Sequence, residues 1–158
     1  MHGEPLRVDP VSLLGNRDAL MEDLLDALEP GSRERVLAVF DLAGLEEHRF
    51  ANGTRAADAL VARLARVLVK ALGVSATCYR IRQDELCALV DIPVEAARSV
   101  LDSVLVALSD EAGSSHVAAS CGVAALPNAA EDPIEALMIA DQELSLTRRG
   151  RERRRSRR

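Results

Sequence analysis

Residues 80–86 read Arg-Ile-Arg-Gln-Asp-Glu-Leu, and Asp84 and Glu85 are the residues of this chain best placed to do chemistry. Adjacent carboxylates at a tight turn can give hard oxygen donors to Mg²⁺ or accept a proton from a substrate hydroxyl. A merely polar hairpin tip carries the same residues, so their meaning depends on what the fold brings beside them. The cysteines offer nothing comparable. Cys78, Cys87 and Cys121 are widely spaced within apolar runs, which is neither a metal-ligand spacing nor an even disulfide framework. Buried free thiols in a reducing cytoplasm are the expectation.

The net charge of −5 hides an asymmetry. Residues 148–158 hold eight arginines and one glutamate, a charge of +7, which leaves twelve bases against twenty-four acids, or −12, in the rest of the 158-residue chain. An acidic body therefore precedes a basic tail. The tail reads as a solvated C-terminus, or as a contact for nucleic acid or an anionic lipid surface, since clustered arginine releases condensed counterions whatever the base sequence. No aromatic residue is interleaved with these arginines, which argues against stacking on a single strand. No apolar run reaches the ~18 residues of a membrane span, and Met1–Pro10 lacks the apolar stretch of a signal peptide. A cytoplasmic protein is expected.

A chain of this length forms one domain and buries roughly 68–70% of its unfolded surface. Aromatics are 2% of residues (Phe40, Phe50 and Tyr79), so the core must be Leu, Val and Ala packed between helices and strands. Leu20, Leu24, Leu25 and Leu28 recur at helical spacing over residues 16–28, and Pro30-Gly31 ends that helix. Val36–Phe40 is apolar throughout, as a central strand covered on both faces is. Thr54 opens a second helix running to about Leu72. Residues 76–81 and 86–92 form a hairpin closed at Arg82–Glu85. Helices over 94–109 and 134–149 flank a strand over 116–126. The order α-β-α-β-β-α-β-α contains a ferredoxin-like βαββαβ core, an α+β fold with a central antiparallel sheet.

Arg82-Gln83-Asp84-Glu85-Leu86 resembles the GGDEF signature, the active-site hairpin of diguanylate cyclases, with both glycines replaced. Asp9–Arg17 is similar to the D-x-L-T-G-L-x-N-R opening of GGDEF domains. Ser120, Gly122 and Ala124 match their S-x-G-x-A strand. Ala140-Asp141, Leu144 and Arg148–Arg151 resemble the closing helix, one residue short and without its Tyr. The resemblance spans Asp9 to Arg151 and implies the nucleotide-cyclase, palm-like fold of that family. The corresponding division is a tail at 1–8, a GGDEF-like domain at 9–150 and an Arg-rich tail at 151–158.

The resemblance implies a Mg²⁺ site at Asp41, the Leu42 carbonyl and Asp84, retained if the ancestral geometry is, with Asp84 or Glu85 helping to remove the proton of a ribose 3′-hydroxyl. The ligand it implies is GTP or a related nucleotide. The substrate side departs from the pattern. Asp58 stands at the guanine-reading Asp, but Arg49 replaces the paired Asn, and is expected to neutralise Asp58 or Asp41 more readily than to reach a base. Ala43-Gly44-Leu45-Glu46-Glu47 replaces the triphosphate cradle, with Arg148 at a phosphate-binding Lys. Arg82 and Gln83 are expected to fill space that the glycines leave open and to strain the turn, Arg82 pairing with Asp84 or Glu85 or holding a phosphate. Gly73-Val74-Ser75-Ala76 stands where the product-inhibition R-x-x-D would be, so no inhibitory site is expected.

Family cyclases act as two facing domains brought together by an upstream module; with only residues 1–8 ahead of the domain, this chain is expected to be an excised fragment or a stand-alone domain. The expected function is a degenerate GGDEF-like domain without cyclase activity, working by protein interaction, homodimer formation or nucleotide sensing in bacterial cyclic di-GMP-type signalling. The alternatives are a divergent active cyclase that condenses two GTP to cyclic di-GMP, and a nucleic-acid binder that uses the basic tail.

Overall fold

The computed structural model describes the backbone of residues 6–157 and, among them, the side chains of all but residues 151, 152 and 155. Helix α1 (Arg17–Ala27) precedes strand β1 (Arg35–Ala43), helices α2 (Leu45–Asn52) and α3 (Thr54–Leu72), and the hairpin β2 (Ala76–Arg82) and β3 (Glu85–Val90). Helix α4 (Val94–Ala112), strand β4 (Ala118–Leu126) and helix α5 (Pro133–Ser156) complete it. The four strands form one antiparallel sheet in the order β2-β3-β1-β4, the arrangement of a ferredoxin-like core.

Strand periodicity of two explains why β1 is apolar throughout. Val36, Ala38, Phe40 and Leu42 pack on one face with Leu60, Leu64 and Leu68 of α3 and Leu101, Val104 and Leu108 of α4. Leu37 and Val39 pack on the other with Leu20 and Leu24 of α1 and Ala136, Leu137, Ala140 and Leu144 of α5. Asp41 continues the second series and Glu85 continues that of Cys87 and Leu89. Both acids therefore face α5 from the centre of the sheet.

Gly122 is what lets α5 lie this close. A Cβ there would stand 2.1 Å from the Ala140 carbonyl oxygen and 2.5 Å from the Leu144 nitrogen, so only glycine admits the helix backbone onto β4. This is the physical content of the Ser120–Ala124 motif.

Two elements differ from the sequence reading. Helix α2 was not expected: Leu45 is its one buried residue and Phe50 is 94% exposed, so no apolar periodicity announces it. Helix α5 runs on to Ser156 and does not stop near Arg149, although no apolar residue follows Leu146. Arginine is a good helix former, and cations suit a helix C-terminus. Among the described residues no helix is long and apolar enough to cross a membrane.

The Asp9–Arg17 segment locks onto the edge of β2. The Gly15 amide donates to the Cys78 carbonyl at 3.2 Å and the Gly15 carbonyl accepts from the Arg80 amide at 2.7 Å. The Asp9 carboxylate accepts from the Ser12 amide and hydroxyl at 2.8 and 2.7 Å, and Asn16 caps α1 through the Ala19 amide. Leu13 stands at the motif's glycine and takes φ 62°, a left-handed conformation that disfavours a branched side chain. Leu13 is 76% exposed and so contributes little burial. Leu13→Gly is accordingly expected to stabilise the domain by about 0.5–1 kcal/mol, read as a higher midpoint in urea with an unchanged slope.

Candidate active site

β1 and β3 pair so that Asp41 lies directly opposite Glu85, with Ser120 of β4 on its other side. Two acids across a strand pair repel. Helix α5 adds a third, Asp141, on the same helix face as Arg148, seven residues and nearly two turns later. The hairpin turn adds Asp84, whose backbone carbonyl accepts the Leu42 amide at 2.8 Å and so straps the turn to β1. The cluster thus gathers Asp41, Asp84, Glu85 and Asp141.

Three arginines of the site are already engaged. Arg148 Nη1 is 3.6 Å from Asp41 Oδ2, and Arg82 Nε is 3.9 Å from Glu85 Oε2. Arg49 Nη1 donates to Gln83 Oε1 at 3.2 Å and lies 3.8 Å from Glu46. That corrects the expectation for Arg49, which reaches across to the hairpin and does not neutralise Asp58 or Asp41. Asp58 sits half-buried on α3, and no ion pair or side-chain hydrogen bond involves it among the described residues. Arg148 binds a carboxylate of the cluster instead of lying open for a phosphate.

The replaced glycines leave no backbone strain, contrary to expectation. Leu13 and His116 are the non-glycine residues with positive φ among those described, so Arg82 and Gln83 are not in that region. A register shift between Arg80 and Arg82 absorbs the turn as a bulge. Arg80, which the sequence reading passed over, braces it from below: its buried guanidinium donates to the Gln83 carbonyl at 2.8 Å and lies 3.4 Å from Asp9. Burial alone would raise the Asp9 carboxyl, but hydrogen bonds from Ser12 and the charge of Arg80 hold it below its usual value. At the segment aligned with the family's triphosphate cradle, Gly44 at φ 91° caps α2, and the exposed Glu46 and Glu47 occupy its first turn, where a helix favours negative charge.

Burial is the first cause of the electrostatic state of the cluster. It pushes Glu85 up to about 7, and Asp141, Asp41 and Asp84 push the same way against Arg82. Asp41 is raised as well, by burial first and by Asp84 and Asp141, with Arg148 opposing. A carboxyl raised in the folded state is most favourable when protonated. Its contribution is complete below the ordinary value of 4.5 and is lost as pH climbs to about 7. Glu85→Gln, neutral at every pH, should gain on the parent chain across that interval by about 1–2 kcal/mol after solvent screening, measured by urea unfolding at both ends.

The donor set fits Mg²⁺ in part. Asp41 Oδ2 is buried without a hydrogen-bond partner, and Asp41, Asp84 and the Leu42 carbonyl are hard oxygens of the kind that ion takes alongside water and phosphate. Among the described residues no three His, Cys, Asp or Glu side chains converge as a preformed cage. The cleft beside the cluster, lined by Arg17, Ile81, Arg82, Glu85, Leu137 and Asp141, holds about 180 Å³. Small-molecule sites ordinarily span about 300–1,000 Å³.

This sheet order, with acids at the end of β1 and on the following hairpin, defines a nucleotide-cyclase-like α+β domain. The family model described as "Diguanylate cyclase, GGDEF domain" matches residues 6–154, and the chain belongs to that family. Among solved structures it is similar to the GGDEF domain of FimX from Pseudomonas aeruginosa, at 22% identity and TM-score 0.80, covering 92% of this chain and 95% of that one. It is also similar to the GGDEF domain of DgcB from Caulobacter crescentus in complex with c-di-GMP, at 20% identity and TM-score 0.78, covering 95% and 92%. The diguanylate cyclase SiaD of Pseudomonas aeruginosa, solved with its activator SiaC, matches at 23% identity and TM-score 0.78 over 90% of this chain; the match spans 58% of SiaD. No curated protein sequence matches the chain.

Proposed function

We propose that this GGDEF domain acts in cyclic di-GMP-type signalling as a regulatory module that binds a protein partner or a nucleotide and does not condense GTP. The observation that carries this reading is that three arginines at the site are engaged by the site's own groups, Arg148 by Asp41, Arg82 by Glu85, and Arg49 by Glu46 and Gln83, which leaves Arg17 in the cleft as the one without an ion pair among the described residues. A triphosphate brings several negative charges into a cluster of four carboxylates, and unpaired like charges at roughly 4–6 Å repel by about 1–4 kcal/mol each. Mg²⁺, if bound at Asp41, Leu42 and Asp84, would supply charge neutralisation and a lowered pKa for a hydroxyl beside it. SiaD, bound by its activator SiaC, gives the family precedent for a protein partner.

One observation favours an active enzyme instead. Asp41, Asp84 and Glu85 stand together, and a carboxylate with its pKa near 7 suits proton transfer at neutral pH. Incubation of the purified chain with GTP and Mg²⁺ or Mn²⁺, followed by chromatography for cyclic di-GMP, separates the two readings. No product is expected. Product that disappears in Asp84→Ala would overturn the regulatory reading.

A further inference from the structure

Arg149 and Arg153 in the last turns of α5 and Arg157 just past its end at Ser156 recur every four residues, which lines up the two helical members in one stripe with a rise of about 6 Å between them. Arg149, Arg153 and Arg157 line one open surface with Ser156, and Arg154 is exposed beside them. Like charges four residues apart on a helix repel and destabilise it. Among the described residues no ion pair involves any of these four arginines. Among the described side chains the stripe is positive charge held in line without a carboxylate to answer it, on a chain whose residues before 148 are strongly acidic.

We propose that this stripe is a binding surface for the phosphodiester backbone of double-stranded nucleic acid, a second function independent of what the carboxylate cluster does. Three features select that partner. Residues 147–158 contain no apolar side chain, so the segment has nothing to bury in a protein groove or a lipid interface. The cations are all arginine, whose planar fork takes phosphate oxygens two at a time. Arg149, Arg153 and Arg154 also project from a helix, the element that the major groove of B-form DNA admits with phosphates on either side. Arg148 at the start of the segment is engaged with Asp41, so the stripe begins one residue beyond the carboxylate site and leads away from it.

Such contacts are made to phosphate and not to base edges, so binding is insensitive to sequence and sensitive to salt. The test titrates the full chain into a fluorescent mixed-sequence DNA duplex of about 20 base pairs and an RNA duplex of the same sequence, between about 50 and 200 mM salt. Vesicles containing phosphatidylserine form a parallel arm. With four arginines engaged, log affinity should fall against log salt with a slope of about −4, roughly a hundredfold loss over that range. The triple variant Arg149→Gln, Arg153→Gln, Arg157→Gln should flatten the slope to about −1 while its circular dichroism and urea midpoint stay those of the parent. Tighter binding of one duplex assigns the source as DNA or RNA, and equal binding supports recognition of the phosphodiester backbone that both share. Absence of duplex binding at low salt, an unchanged slope in the triple variant, or tighter binding to the vesicles than to either duplex would each overturn the proposal.

Discussion

Gly122→Ala is expected to lower the unfolding free energy by about 3 kcal/mol or more and the melting temperature by roughly 6–12 °C. The added methyl would stand 2.1 Å from the Ala140 carbonyl oxygen and 2.8 Å from the Leu144 Cβ. The first obstacle is helix backbone, which cannot rotate aside as a side chain can. Either α5 lifts from β4, opening the layer formed by Leu37, Val39, Leu137 and Leu144, or β4 bends away from β1. Gly150 supplies a control on the same helix. Nothing lies within 4 Å of a Cβ there, so Gly150→Ala should be neutral or gain up to about 1 kcal/mol from helix propensity. Calorimetry on both variants checks the contrast. Comparable melting temperatures would show that the β4–α5 contact is looser than this. Because α5 carries Asp141 and Arg148, a displaced helix would also release the carboxylate cluster, and Glu85 would titrate closer to its ordinary value of 4.5.

The sequence made most of this architecture legible because its elements repeat at clean periods. The buried stripe of α3, with Leu60, Val61, Leu64, Leu68 and Leu72, and the unbroken apolar run of β1 each admit one assignment. Helix α2 escaped because its eight residues lie between Gly44 and Gly53 and bury only Leu45. The continuation of α5 escaped because helices are usually recognised by an apolar face, and its last turns have none. At the site, Asp41, Asp84, Glu85 and Arg148 could be named from motif positions, and the fold does gather them. What motif positions could not give is pairing. Which acid Arg148 meets, and that Arg49 turns toward Gln83, depend on side-chain reach across elements far apart in sequence. Asp141 was within the motif that identified α5, yet its part in the cluster appears only once Gly122 brings that helix over Glu85 and Asp41. The expectation of strain at Arg82 and Gln83 assumed a turn that keeps the backbone of a glycine pair, and the bulge removes that need.

The largest effect expected on ligand binding belongs to Arg148. Its guanidinium lies 3.6 Å from the oxygen of Asp41 that has no hydrogen-bond partner, so it stands where a divalent cation at that carboxylate would have to share the charge. A single positive charge at roughly 5 Å raises the energy of a doubly charged ion by about 1.5–2 kcal/mol at the dielectric of water, the appropriate limit for a side chain that is half exposed. Each 1.4 kcal/mol is tenfold in affinity. Arg148→Gln should therefore bind Mn²⁺ about tenfold more tightly than the parent chain, by calorimetric titration near pH 8, since burial raises the Asp41 carboxyl and alkaline pH favours its ionised form. Asp41→Asn should bind no ion at this site in either background. The ion pair itself contributes little to folding, since an exposed guanidinium is worth about 0–1 kcal/mol, so the variant should melt close to the parent. Mn²⁺ affinity that is unchanged or weaker in Arg148→Gln would mean that Arg148 does not compete with a cation for Asp41. Tighter binding without cyclic di-GMP formation would show that metal affinity at Asp41 and turnover of GTP are separable in this chain.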